Sequence, residues 1–332
     1  MMKKTRVAIV LLAIGLAGLL GYTYIRNQQA SQRVTIVKDV SEVVPGLGLR
    51  ALHAQGYTGK GVNVTIIDGP LLADHEEFSG RLVHFEKIGA VNEADLYHGT
   101  TVASVLVGKR CGAAPEANLH FFAANLGDEE VVLEALERVL IYNDALEPSE
   151  RIRIVSISTG LSQNEDAFHR LIHQAEEQGI LVFTSTMPTV TNPPFALREA
   201  GYDNKKDLDN LDNIVIGEWM DEYLREQGMT REELVVLRKE ADIKMGYISL
   251  YLPCGRRYIA SPSIKDGYAF YNDWGLSWAT PLLAGLAALA LQANPELTSD
   301  ELLMTLRDSI VTNKHGLDVI DPQLLITRAK GI

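Results

Sequence analysis

Five short apolar runs punctuate the chain: VNVTIID (62–68), LHFFAA (119–124), IRIVSIS (152–158), ILVFTS (180–185) and NIVIG (213–217). Runs of Val, Ile, Leu and Phe at this length predict strands, and near-continuous rather than alternating apolarity predicts strands covered on both faces. Between them, EEVVLEALERVLIYN (129–143) and EDAFHRLIHQAEEQ (165–178) carry apolar residues at helical spacing. Strands alternating with amphipathic helices predict an α/β fold around a buried, mainly parallel sheet. NIVIG is expected to be one of its core strands.

Three stretches depart from this rhythm. Residues 218–247 are charged and helical, with Thr230 and Glu233 spaced as a capping box, and predict a helical surface insertion between two core strands. Thr298 and Glu301 open a second capped helix. Residues 271–293, YNDWGLSWATPLLAGLAALALQA, are too apolar to face water and predict a buried core helix, with Pro281 expected in its first turn. At the other end of the chain, Val7–Ile25 is uncharged and follows Lys3, Lys4 and Arg6. That pattern predicts a signal anchor, a single transmembrane helix with a cytoplasmic N-terminus. A secretory signal that is cleaved, giving a soluble form, is the alternative. Arg26, Arg33 and Lys38 on the far side weaken the orientation signal. Residues 26–40 are polar at first and predict a linker, so the expected organisation is 1–25 anchor, 26–40 linker and 41–332 globular domain.

The composition fits that division. The 332 residues are 46% hydrophobic and 22% charged, enough apolar matter for a large core. A formal net charge of −12 argues against a nucleic-acid partner. Cys111 and Cys254 lack metal-ligand spacing and allow either one disulfide or two buried thiols. There is no His-Glu-x-x-His or comparable cluster, so metal-dependent hydrolysis has little support.

Candidate chemistry collects at the edges of the apolar elements. Asp68 ends the first run, His98 opens the small-residue helix HGTTVASVLVG (98–108), and Ser277 sits at the mouth of the long apolar helix. Taken singly, each has an ordinary role as a turn former, a structural histidine or a helix cap. Together they follow the order Asp, His, Ser, one of the orders in which a serine-nucleophile triad occurs. Such a triad needs a base to take the serine proton, a carboxylate to orient that base and backbone N–H groups at a helix N-terminus to hold an oxyanion.

The sequence resembles the subtilisin-like serine proteases, the subtilases. ALHAQGYTGKGVNVTIID (51–68) resembles the entry to their catalytic domain, HGTTVASVLVG their histidine motif and CGAAPEANLHFFAAN (111–125) the segment after it. VSISTG (155–160), YLPCG (251–255), GLSWATP (275–281) and GLDVIDPQLLI (316–326) resemble, in turn, the substrate-pairing strand, a Pro-Gly turn, the serine motif and the closing segment. The resemblance covers about residues 41–328. It implies a three-layer subtilisin-like fold with helices on both faces of the sheet. It also implies catalytic Asp68, His98 and Ser277, substrate pairing along Ser158, Thr159 and Gly160, and a main pocket lined by 158–161 and 184–187. No cofactor is required; calcium is common in the family, but no ligand loop is legible.

This chain departs from the family pattern in several places. Gly69-Pro70 stands where Ser/Thr-Gly is usual, Thr101 where a second histidine is usual, and Leu276 and Trp278 flank the serine in place of Thr and Met. The asparagine that completes the family's oxyanion hole is not evident. Counting along GILVFTSTMPTVTN from Gly179 reaches Pro188, which has no N–H. The candidates for that role are therefore the Ser277 N–H with Thr186 or Asn192. No folding prodomain is recognisable between the apolar segment and the first motif. The expected function is a serine endopeptidase of low activity, tethered to the cytoplasmic membrane through residues 7–25, with peptide or protein substrates on the extracytoplasmic side. The alternative is a pseudoprotease that binds peptides or a partner without cutting them.

Overall fold

The computed structural model describes residues 34–160, 165–185, 195–203, 207–272 and 274–331. The expected anchor Val7–Ile25 lies outside the described residues, as do Thr186, Pro188 and Asn192.

The first part of the chain supplies all five strands of the main sheet. It runs β1 (Val34–Ile36), α1 (Leu49–Ala54), β2 (Asn63–Asp68), β3 (Leu82–Lys87), α2 (Tyr97–Val107), β4 (Asn118–Ala123), α3 (Glu129–Asp144), β5 (Ile152–Ile157), α4 (Glu165–Glu177) and β6 (Leu181–Thr184). Strands β2 to β6 pair in the order β3-β4-β2-β5-β6, every pair parallel. All six residues of β2 are buried, and their two faces enter different cores. Val64 and Ile66 belong to a cluster with Val102 and Leu106 of α2, whereas Ile67 joins Val132, Leu136 and Val139 of α3 and Ile172 of α4. Helices therefore cover both faces, giving three layers. Each fully buried Val, Leu or Ile contributes roughly 1.5–3 kcal/mol.

The remainder adds β7 (Phe195–Tyr202), β8 (Ile214–Val215), α5 (Asp221–Gln227), α6 (Arg231–Lys244), β9 (Ile248–Gly255), β10 (Arg257–Ala260), β11 (Tyr268–Tyr271) and α7 (Leu276–Ala293). It closes with α8 (Ser299–Arg307), β12 (Ile310–Thr312), β13 (Asp318–Ile320) and α9 (Pro322–Lys330). Helix α7 is buried without a break from Trp278 to Leu291 and shares the core of α2 and β2. Among the described residues it is the one helix long and apolar enough to cross a membrane, and its burial makes it a core helix.

Three sequence expectations are corrected. NIVIG is not a parallel core strand: β8 is two residues long and pairs antiparallel with β7. The strand parallel to β9 is β7, FALREAGY, whose Arg198 and Glu199 interrupt the apolar pattern. Residues 218–247 are not simply a solvated excursion. The capping box at Thr230 and Glu233 forms, but α6 also buries Leu234, Val235 and Asp242. The Asp242 carboxylate is fully buried and bonded to Arg198 of β7 and to the Ser249 hydroxyl of β9. Pro281 lies inside α7 rather than in its first turn. A proline there removes the N–H that would bond the carbonyl four residues back, that of Ser277. That carbonyl accepts the Ser158 hydroxyl instead, at 2.9 Å.

Candidate active site

In this sheet β3 and β4 lie on one side of β2 and β5 and β6 on the other, so the chain crosses over beside β2, and the crevice at its carboxyl end is the topological switch point where such folds bind ligands. Asp68 closes β2 there, and Ser158 follows β5 next to it.

Asp68 is fully buried. Its Oδ1 accepts the Gly69 N–H at 2.8 Å and faces His98 Nδ1 at 2.6 Å. The other oxygen, Oδ2, is buried with no hydrogen-bond partner. His98 is the second residue of α2, and its side chain is 31% exposed, so the imidazole opens to the crevice while its partner does not. The helix reaches Asp68 because Gly99 has no side chain: a Cβ there would lie 2.0 Å from the Gly69 carbonyl. Thr100 Oγ1 accepts the Leu72 N–H at 2.8 Å, tying the turn after Asp68 to the same helix. Thr101, where the family has a second histidine, donates its hydroxyl to the Tyr97 carbonyl at 2.8 Å. It therefore holds the helix rather than the crevice.

Ser277 is the second residue of α7. The helix starts at Gly275, where no side chain caps it, so its first N–H groups have no side-chain acceptor. Ser277 Oγ donates to the Ser158 carbonyl at 3.3 Å rather than to the imidazole, and Ser158 Oγ donates back to the Ser277 carbonyl. Catalytic hydrogen bonds often tighten only when substrate arrives, so this resting geometry does not remove Ser277 from the site. Trp278, the next residue, packs its ring against the His98 imidazole with centroids 5.0 Å apart. It thereby links the serine's helix to the Asp68–His98 pair. The half-exposed Thr159 and Gly160 continue from Ser158, and the Thr159 carbonyl accepts the Ser185 N–H at 3.3 Å.

Of the residues singled out in the sequence, Asp68 and His98 are hydrogen-bonded, and Ser158 is bonded to Ser277. Thr186 and Asn192 lie outside the described residues. The sequence reading missed the Trp278–His98 stacking, although an aromatic residue where the family has Met was its signal. Cys111 and Cys254 are buried thiols not joined in a disulfide, and the Cys254 thiol donates to the Ala200 carbonyl at 3.3 Å. Among the described residues, no three His, Cys, Asp or Glu side chains converge to hold a metal ion, so none can be named for the family's calcium.

A buried Asp–His pair and a serine at an open helix start thus lie at the switch point of a parallel sheet in an α/β fold. This chain matches the Subtilase family model over residues 59–186, a span containing Asp68, His98 and Ser158. It is 28% identical over 290 residues to serine protease AprX of Bacillus subtilis (strain 168), a match covering 77% of this chain and 62% of that protein. It is 26% identical over 294 residues to the subtilisin-like protease PopC of Myxococcus xanthus (strain DK1622), covering 80% and 58%. The chain thus spans less than two thirds of the length of these relatives. Among solved structures, the prenylagaramide maturation protease PagA superposes with a TM-score of 0.55 at 18% identity, covering 86% of this chain and 98% of that one. A cold-adapted subtilisin-like serine proteinase superposes with a TM-score of 0.50 at 20% identity, covering 79% and 89%. At these identities the superpositions establish the fold.

Proposed function

We propose that this protein is a serine endopeptidase that cleaves peptide bonds through Asp68, His98 and Ser277. The observation that carries this is the hydrogen bond from the open His98 imidazole to the buried Asp68 carboxylate, beside the helix that begins at Ser277. With Nδ1–H held by Asp68, Nε2 is left unprotonated as the base. Ser277 Oγ attacks the scissile carbonyl, its proton passes to His98 Nε2, and the negative charge on the carbonyl oxygen meets the free N–H of Ser277. The imidazolium then protonates the leaving amine, and water enters by the same route to release the acyl group. An extended substrate pairs along Ser158, Thr159 and Gly160 by strand addition.

The second oxyanion donor comes from Thr186 or Asn192, with Pro188 at the family's asparagine position. Replacing the family's asparagine by a less well placed donor costs up to about 10²–10³ in rate, so turnover is low while peptide affinity stays ordinary. The protein is held at the cytoplasmic membrane by Val7–Ile25, with the catalytic domain on the extracytoplasmic side, and calcium is not needed for the chemistry. The bond from Ser277 Oγ to the Ser158 carbonyl favours a second reading, in which the serine stays engaged and the site only binds peptides.

A fluorophosphonate label on purified protein tests the choice. Stoichiometric labelling of the wild type that is lost in Ser277→Ala and His98→Ala supports the endopeptidase. No labelling, in the wild type or in Pro188→Asn, overturns it in favour of peptide binding.

A further inference from the structure

A phenol has one proton to donate. The Tyr268 hydroxyl of β11 lies between two carboxyl groups, 2.5 Å from Glu76 Oε1 and 2.7 Å from Glu77 Oε1. It can donate to one of them. The other contact sets a lone pair against an anion unless that carboxyl brings a proton of its own. Burial, and then the bond to Glu76, raises the Tyr268 pKa, so the phenol keeps its proton. Glu77 is fully buried, and burial pushes its carboxyl pKa up as well.

The Glu77 carboxyl occupies a fitted place. The Arg110 N–H donates to both of its oxygens, at 3.0 and 3.1 Å, and the Cys111 N–H to Oε2 at 3.1 Å. A Cβ on Gly108, the residue that ends α2, would lie 2.3 Å from Oε2. His75 Nδ1 accepts the Glu77 N–H at 3.1 Å and His75 Nε2 faces the Gly267 carbonyl at 2.9 Å, which puts the ring proton on Nε2 and leaves the ring neutral. Glu77 thus fastens three pieces of chain: its own turn, Glu76–Phe78, which follows Asp68; the end of the helix that carries His98; and the strand that leads to Ser277. The other titratable or charged groups around it are His75 and Glu76 on the same turn, Arg110 and Cys111 after α2, and Tyr268 on β11. Lys265, whose carbonyl accepts the Glu76 N–H, pairs its ammonium with Asp74, and Arg257 of β10 acts on Cys111 from behind.

We propose that Glu76, Glu77 and Tyr268 form a site that binds one proton beyond the phenol's own, and that Glu77, through it, is the positioning residue that fixes the segments carrying Asp68, His98 and Ser277 to one another. The positioning role rests on the peptidase reading above; the proton site does not. With the proton in place, carboxyl, phenol and carboxylate form an unbroken donor–acceptor chain. Without it, two anions face one phenol and the Glu76 end lets go. The folded chain holds this proton more tightly than the unfolded one. Its contribution to stability is therefore complete below the ordinary carboxyl value and is lost as pH rises through the folded value.

Infrared spectroscopy reads the proton. Where exposed carboxylates have all ionised, the wild type should keep a protonated-carboxyl stretch that is lost in both Glu76→Gln and Glu77→Gln, whose amide N–H replaces the shared proton. No such band, or a band that survives either substitution, overturns the proposal. Glu76 is only half-buried, so Glu76→Gln carries the test if Glu77→Gln fails to fold. In urea denaturation, the folded-to-unfolded ratio of the wild type relative to Glu76→Gln should fall by up to about 10-fold per pH unit, the slope of one proton. Equal slopes in the two proteins also overturn it.

Fluorophosphonate labelling reads the positioning. The wild-type rate divided by the Glu76→Gln rate should fall about 3-fold over the same pH range, within the 10²-fold that a misplaced reacting group can cost. A constant quotient removes the positioning role. Absence of labelling in a wild type that shows the band counts against the peptidase and leaves the proton site standing. Labelling in a wild type without the band does the reverse.

Discussion

The two halves of this molecule are held together by different physics. The half built on β2 to β6 is mainly apolar on both faces of its sheet, with a few buried polar side chains such as His120, and its candidate chemistry lies at the strand ends, in Asp68, His98 and Ser158. The half built on β7 to β9 and α5–α6 keeps charge inside. Asp242 of α6 is fully buried and joins Arg198 of β7 to Ser249 of β9. Gly201 of β7 lies so close to Trp274 that a Cβ there would come within 1.7 Å of the ring, and the Arg256 guanidinium covers that ring at 5.8 Å. Apolar strands tolerate exchange of one hydrophobe for another, whereas a buried ion pair fails when either partner is lost. The crevice at Asp68 and His98 is thus framed by the tolerant half, and Ser277 is reached through the exacting one.

The largest expected effect separates chemistry from stability. His98→Ala should lower kcat by about 10⁴-fold or more, with the melting temperature unchanged within error, because the imidazole lies at the crevice and not in the core. Equal losses in rate and melting temperature would place His98 in the scaffold instead.

Asp242→Ala should do the opposite, destabilising by about 3–5 kcal/mol because it removes the fully buried carboxylate that bonds both Arg198 and Ser249. Replacing both partners with Leu and Met should recover most of that loss in urea denaturation. If the single variant costs less than about 1 kcal/mol, the second half is not held by its internal charge.

The apolar half carries an acid-sensitive group of its own. His120 of β4 is buried, and burial first, then the neighbouring His84, pushes its pKa down to about 4. His84 itself bonds Glu86, which pairs with Arg138 of α3. Below the ordinary imidazole value the unfolded chain takes up a proton that folded His120 refuses, so stability is complete above about pH 6.5 and falls as pH drops toward 4. The loss should approach about 3 kcal/mol at the low end. His120→Gln should remove that part of the acid dependence, and an unchanged pH profile would exclude His120 as its source.

The smallest effect tests the reciprocal cap of α6. Thr230→Ala removes the hydroxyl that accepts the Glu233 N–H, at 3.2 Å, and should cost about 1 kcal/mol. A much larger loss would mean that the start of α6 also sets the position of Asp242.

What could be read beforehand follows the same division. VNVTIID, LHFFAA, IRIVSIS and ILVFTS announced four strands, because a strand covered on both faces must be apolar along its whole length. FALREAGY did not announce β7, because the charge of Arg198 is balanced by a residue 44 positions away on another element. Asp68, His98 and Ser277 were legible because each stands in a local motif of small residues, as Gly99 shows where it lets α2 reach the turn after Asp68. Pro281 was misplaced because its use is tertiary: it frees the Ser277 carbonyl for Ser158.

The amino-acid sequence by itself determined the alternation of elements, the buried helix behind Ser277 and the order of the three candidate catalytic residues. These depend on neighbours within one turn or one strand. The tertiary structure decided which strand lies beside β9, why Asp242 is buried and which ring lies on His98. Each of these is a pairing between residues far apart in the chain, and neither partner's local pattern carries the other's position.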